Sequence, residues 1–290
     1  MDSCFIGNPE LRAEFTARGA ELRRLQVAQG PDLLWNGDPE VWGRVSPVLF
    51  PVVGKLKDGL LLHGGNSYPM GQHGFGRDRD FQLVRLTRES CTWSLKDDEA
   101  TRAQYPFPFE LRITYTVAGF TFRAAFEIRN PGTKALPMSL GAHPAFRWPL
   151  PGGQREGHRI EFAQPEPAPI LRLKDGLLDP HPSANPVDGS LLRLRDELFA
   201  QDALVFDQLR SRALRFSAPG SLGLELHWEG FQHLGLWTKP GAGFLCIEPW
   251  AGLPSPVDFD GEFSTKPGVM ILEPGGRRAF SWSVKVLPRN

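Results

Sequence analysis

Residues 109–129 read FELRITYTVAGFTFRAAFEIR, and this stretch decides the fold class. Before Gly119, the residues Phe109, Leu111, Ile113, Tyr115 and Val117 fall on alternate positions. After it, Phe120, Phe122, Ala124, Phe126 and Ile128 alternate with Thr121, Arg123 and Glu127. Successive side chains of an extended chain point to opposite faces, so each run gathers its bulky residues on one side of a strand. Two such runs about a turn residue predict a β-hairpin with one buried face.

Working outward, the same period recurs in Cys91-Trp93-Leu95, in Leu222-Leu224-Leu226-Trp228 and in Phe280-Trp282-Val284-Val286. Helical windows are scarce. The best covers 191–204 (LLRLRDELFAQDAL), where a helix of about three turns is expected, and a short turn is expected at 39–43. With 31 Gly and 27 Pro in 290 residues, the chain is punctuated too often for a helical bundle. Pro/Gly clusters at 149–153, 164–169 and 180–186 read as loops, and none marks a domain boundary. The expected architecture is therefore all-β: a large antiparallel β-sandwich forming a single domain over 1–290, with one or two short helices.

Charge excludes several functions. Thirty-three Lys+Arg balance 33 Asp+Glu, so the long-range attraction needed for nucleic acid or an anionic membrane surface is missing. No apolar run approaches the roughly 20 residues of a membrane span. The start, MDSCFIGNPELRAEF, has no basic segment followed by an apolar one. Cys4, Cys91 and Cys246 are odd in number and far apart, which is no disulfide framework, and a cytoplasmic location is expected. Nucleophile-elbow, P-loop and HExxH patterns are absent, and no βαβ unit offers a dinucleotide site. The seven histidines show no tight ligand spacing. Neither metal nor cofactor is expected, and the expected partner is a small molecule bound by a monomer or homodimer.

Three segments interrupt the alternation. In Gln72-His73-Gly74-Phe75-Gly76-Arg77-Asp78, a histidine is followed by small residues where backbone can approach a ligand. In Gly141-Ala142-His143-Pro144-Ala145-Phe146, a histidine before proline is biased to extended geometry inside an apolar stretch. In Phe244-Leu245-Cys246-Ile247-Glu248-Pro249-Trp250, a lone carboxylate ends an apolar strand, a costly place unless it is paired or functional. Each has a plainer structural explanation by itself: a solvated loop, a core histidine, an ion-paired strand end. Together they form an acid/base set of two histidines and a glutamate. Trp237 and Trp250 offer flat apolar faces for a sugar ring.

HGFGRD, GAHPAF and CIEPW, with His73, His143 and Glu248 spaced by 70 and 105 residues, resemble the aldose 1-epimerase (galactose mutarotase-like) family. SPVLFPVVGKLKDG at 46–59 is similar to its LacX-like branch. The likeness runs from about residue 3 to 287 and implies that family's β-supersandwich. It implies Glu248 as general base, His143 as general acid and His73 as a second histidine at the ring oxygen. Asp202 resembles the family's sugar-hydroxyl carboxylate, with Asp207 as the alternative. Lys55 stands where the family usually has Arg, exchanging a planar fork for a point charge. His63, in an LHGG-like stretch at a hairpin turn, competes with His73 for the first catalytic position. Candidate substrate-binding residues are then Lys55, Arg77, Asp202, Trp237 and Trp250. The implied activity is interconversion of α and β anomers of a free aldose without cofactor, with His143 acting as an imidazolium favoured by nearby carboxylates. A hexose-6-phosphate 1-epimerase, with Arg44, Arg77, Arg79 and Lys55 near the phosphate, and a non-catalytic sugar-binding protein are the alternatives.

Overall fold

The computed structural model describes residues 3–289. The hairpin at its centre joins Glu110–Ala118 to Thr121–Arg129, with Phe122 opposite Val117 and Phe126 opposite Ile113. Gly119 takes φ +52° at the first position of the two-residue loop, where a primed turn needs a residue tolerant of positive φ. Phe120 falls in that loop and is 50% exposed, so the inward face of the second strand starts at Phe122.

This hairpin lies inside a nine-stranded sheet. Its strand order is Leu191–Arg193, Arg159–Phe162, Ala213–Ser217, Gly223–Glu229, Arg277–Leu287, Thr121–Arg129, Glu110–Ala118, Ser90–Lys96 and Gln82–Leu86. A second sheet orders Leu204–Phe206, His233–Trp237, Phe244–Ala251, Leu140–Ala142 and Val48–Leu49, with Ala145–Arg147 also pairing to Phe244–Ala251. Pairings between these strands are antiparallel. The inner faces of the two sheets meet through large rings. Phe146 lies edge-on to Trp282 at 6.5 Å, and Phe50 packs on Phe109 at 4.9 Å. A three-stranded sheet over Ser3–Gly7, Leu11–Thr16 and Leu22–Val27 extends the same core, with Phe15 stacked on Tyr115 at 4.5 Å. The antiparallel sandwich expected from the alternation is what forms.

The helix expected at 191–204 does not form. Leu191–Arg193 pairs with Arg159–Phe162, a 3₁₀ turn covers Asp196–Phe199, and Leu204–Phe206 joins the second sheet. Tertiary pairing overrides a weak local preference here: Leu192 is buried opposite Ile160, and Asp196 is held by Arg155 at 2.6 Å. The one α-helical turn among the described residues is Glu99–Arg102, started by an Asp98–Thr101 capping box that the sequence reading passed over. Among the described residues, no helix is long and apolar enough to cross a membrane.

The strand Phe244–Ala251 positions the site. It is buried throughout, as its nearly continuous apolar sequence requires. Leu245 and Ile247 face the main core. Cys246 and Trp250 face outward, each under its own small apolar cluster, and Glu248 lies between them on that outward face.

Candidate active site

Glu248 is 1% exposed and pairs across the sheet with Gly235. A side chain at Gly235 would come within 2.5 Å of the Trp250 ring, so this glycine lets the indole lie flat over the neighbouring strand. From there Trp250 Nε1–H donates to Glu248 Oε2 at 3.2 Å. His143 Nε2 stands 3.2 Å from the same oxygen. Neither contact uses Oε1. Burial drives the Glu248 carboxyl well above the ordinary carboxylate range; the Trp250 hydrogen bond opposes that, and the Asp202 charge adds to it.

His143 sits between the strands Leu140–Ala142 and Ala145–Arg147. It stacks on Trp42 at 5.0 Å and meets the edge of Trp237 at 5.9 Å. Burial lowers its imidazole to about 3, with Arg77 and Arg44 pushing the same way. The expected imidazolium is therefore corrected for the free protein: desolvation outweighs the neighbouring carboxylate, and both partners favour their uncharged forms. Between them the pair keeps one proton.

His73 is held in the left-handed region, φ +65°, by contacts that leave it little choice. Its N–H donates to Gly54 O at 2.7 Å, and its own carbonyl accepts from Phe50 N–H at 3.2 Å. Gly54 N–H donates to His73 Nδ1 at 3.1 Å. An acceptor Nδ1 carries no proton, so Nε2 is the N–H of a neutral ring. Burial, the nearby His143, and Arg77 and Arg44 hold this imidazole well below its ordinary value. Gly74 supplies close approach as expected, but to the backbone of Phe50 rather than to a ligand.

These three side chains line one pocket of about 380 Å³ together with Arg77, Asp202, Trp237 and Trp250. The size suits a small ligand, roughly 300–1,000 Å³ being usual. Asp202, at φ +65°, accepts from Ala203 N–H through Oδ1 at 2.8 Å. Arg77 donates to Gln72 O at 2.6 Å, and burial lowers its guanidinium to about 10. Trp250 is only 2% exposed, so its principal contact is the carboxylate and it offers little flat face to a ligand.

Lys55 does not line this pocket. Its backbone is fixed by Ser255 N–H on Lys55 O, and its ammonium reaches Asp175 O at 3.3 Å, away from the acid/base set. His63 is likewise elsewhere, at the end of the hairpin Leu60–His63/Asn66–Pro69, 3.6 Å from Glu262. Asp207 is also outside, its carbonyl facing His233 at 3.0 Å. The sequence reading missed Trp42, Gln72 and Lys239 as pocket residues. Trp42 lies in the expected turn at 39–43, and Lys239 ties that turn to the sheet through Val41 O. A larger groove of about 1150 Å³, between the N-terminal strands and Leu86, contains no histidine.

Comparison with known proteins finds relatives of the chain. The family model described as aldose 1-epimerase matches residues 2–270. Two LacX proteins of Lactococcus lactis subsp. lactis, chromosomal and plasmid, are 31% identical over 294 residues, covering 97% of this chain and 98% of theirs. A galactose mutarotase related enzyme from Lactobacillus acidophilus superposes with a TM-score of 0.94 at 31% identity, over 99% of this chain and 98% of that one. A galactose mutarotase-like protein from Lactobacillus casei ATCC 334 gives 0.91 at 26% identity, over 98% and 99%.

Proposed function

The chain belongs to the aldose 1-epimerase family, and from that premise we propose that it interconverts the α and β anomers of a free aldose by opening and reclosing the ring. The observation that carries this is the 3.2 Å contact between His143 Nε2 and Glu248 Oε2, in a pocket that also holds the Nε2–H of His73. The pair's one proton moves from Glu248 to His143, giving a carboxylate and an imidazolium; polar sugar hydroxyls filling the pocket favour these charges. The carboxylate takes the proton of the anomeric hydroxyl, and that O–H electron pair forms the carbonyl. As the bond from C1 to the ring oxygen breaks, the ring oxygen takes the His143 proton, with His73 Nε2–H donating to the same oxygen. Rotation about C1–C2 and the reverse sequence close the ring on its other face. Asp202 and Arg77 bind hydroxyls, and Trp237 packs on the ring.

Anomer exchange measured by NMR on a panel of aldoses and hexose 6-phosphates tests this. Acceleration for a neutral aldose is expected. Binding without acceleration for any sugar would instead identify a sugar-binding protein on an epimerase scaffold.

The protonation pattern makes its own prediction. Burial lowers His143 to about 3 and holds His73 well below the ordinary histidine value of about 6.5, while burial holds the Glu248 carboxyl well above the ordinary carboxylate range. The pair therefore favours the one-proton state on both counts, the neutral imidazole and the neutral carboxyl. The kcat/KM profile is expected to be flat between pH 5 and 7 (about one unit either side of an ordinary histidine) and to fall on the alkaline side, where Glu248 loses its proton. A step near pH 6.5 that disappears in His143→Gln would contradict this.

One observation favours the sugar-phosphate alternative. A second concavity of about 580 Å³ adjoins the pocket through Trp42 and Arg77 and is lined by Arg18, Arg23 and Arg44. Glu21 and Asp78 engage these arginines at 3.0 and 2.9 Å, which reduces the positive field. Arg79 and Lys55 do not line it. For a free-aldose enzyme, millimolar inorganic phosphate is expected to leave anomer exchange unchanged; competitive inhibition by phosphate would favour the hexose 6-phosphate.

A further inference from the structure

Cys246 has no part in the proton transfer above, yet it stands beside both groups that do. One ring nitrogen of His143, the Cys246 thiol and a Glu248 carboxylate oxygen all lie within 4.8 Å of one another, and all three residues are buried. We propose that these three side chains form a binding site for a thiophilic divalent cation of the zinc type, whose occupancy blocks the acid/base pair.

Sheet geometry brings the donors together. Cys246 and Glu248 are two residues apart on one strand and so share its outward face. Ala145, two residues after His143, pairs with Cys246 across the sheet. Nitrogen, sulfur and oxygen are all zinc ligands, and three protein ligands with a fourth position left open is the arrangement of zinc sites that also take water or substrate. Zinc bonds of about 2.0–2.3 Å put neighbouring ligand atoms roughly 3.2–3.8 Å apart. His143 Nε2 and Glu248 Oε2, at 3.2 Å, already stand at that separation. The thiol has at most about 1 Å to close, within reach of a side-chain rotation.

Two existing contacts, both at Glu248 Oε2, give way to the cation: the Trp250 Nε1–H bond and the approach of His143 Nε2, each at 3.2 Å. His143 Nδ1 is buried without a hydrogen-bond partner among the described residues. His143 and Glu248 line the pocket, from which water or a sugar hydroxyl can complete the shell. Thiolate sulfur selects zinc-like ions over magnesium and calcium, which prefer oxygen. Binding releases the thiol and carboxyl protons to solvent, and the cation takes their place on Sγ and the carboxylate oxygen. The bound metal ties up the base and the acid together, so the epimerase reading adds that zinc inhibits. The site itself does not depend on that reading.

The test uses Co²⁺ as the probe on the full-length protein after chelator treatment. A thiolate-to-cobalt charge-transfer band saturating at one equivalent per chain is expected, and Zn²⁺ should displace it. Cys246→Ala should lose the band and weaken Zn²⁺ binding at least about tenfold, the loss that even an outer-shell partner causes. Its anomer exchange without metal should be unchanged. His143→Gln leaves every thiol in place and should also lose the band, which separates this site from Cys4 and Cys91. No thiolate band in the parent, or a band that survives in either variant, overturns the proposal. The cobalt band and the Zn²⁺ affinity involve no turnover, so a failure of the epimerase reading would leave them intact.

Discussion

Replacing Glu248 by glutamine is expected to slow anomer exchange by about 10²–10⁴-fold with little loss of stability. The amide keeps the shape of the side chain, and its oxygen still accepts from Trp250 Nε1–H, the 3.2 Å bond that orients the group. It cannot take a proton from the anomeric hydroxyl, and it cannot pass one to His143. Removing an ionisable group that is 1% exposed also removes a desolvation cost, so the melting temperature should hold or rise. Polarimetry on the preferred sugar, with thermal unfolding beside it, reads both effects. His143→Gln should cost a similar factor, and the double variant little more than either alone, because the two residues act as one unit. A Glu248→Gln protein that epimerises within about twofold of the parent, well short of a general base's usual contribution, would remove Glu248 from the base role.

Gly74→Ala is the second large effect, and it falls on stability. Gly74 has φ +71°, and a Cβ there would lie 2.2 Å from the Phe50 carbonyl oxygen and 2.7 Å from Pro51 N. Both are backbone atoms that no side-chain rotation can clear. Left-handed strain and overpacking together should cost about 2–5 kcal/mol. His73 should lose its frame too, because its carbonyl bond to Phe50 N–H and the Phe50–Gly74 bridge belong to the same crossing. Gly64→Ala is the control. Its φ is +59°, but nothing lies within 4 Å of the added carbon, so only the conformational cost of about 1–2 kcal/mol remains. Denaturant unfolding of the two variants separates contact from strain. Equal losses would show that the close approach at Gly74 contributes nothing.

Where side chains alternated cleanly, the fold was legible in the chain. Leu111, Ile113, Tyr115 and Val117 are buried because a sheet with one covered face demands that period. The window at 191–204 misled because its leucines fit a helix and a strand alike, and the choice was made by Ile160 across the sheet. His73, His143 and Glu248 could be picked out as polar breaks in apolar runs. Their protonation could not, since desolvation depends on Trp42 and Trp237, which close over His143 from separate segments. Lys55 was placed by likeness of position, and position along the chain does not fix where a flexible stem points. Cys246 read only as one of three scattered cysteines, and the register of Ala145 with Cys246 is what brings it beside the pair.

The strand Phe244–Ala251 serves two masters, the sandwich core on one face and the pocket on the other. Its carboxylate therefore stands on a strand buried along its whole length. Much of the pocket wall hangs instead on connecting segments: the turn bearing Trp42, the short hairpin beginning at Leu173, and Asp202 at its left-handed bend. Such segments tolerate substitution far better than a buried strand does. Preference for one sugar over another can thus drift by exchanging these walls while the proton-transfer chemistry stays untouched, so grafting the segments around 39–43, 171–178 and 200–203 from a relative should transplant its choice of sugar along with them.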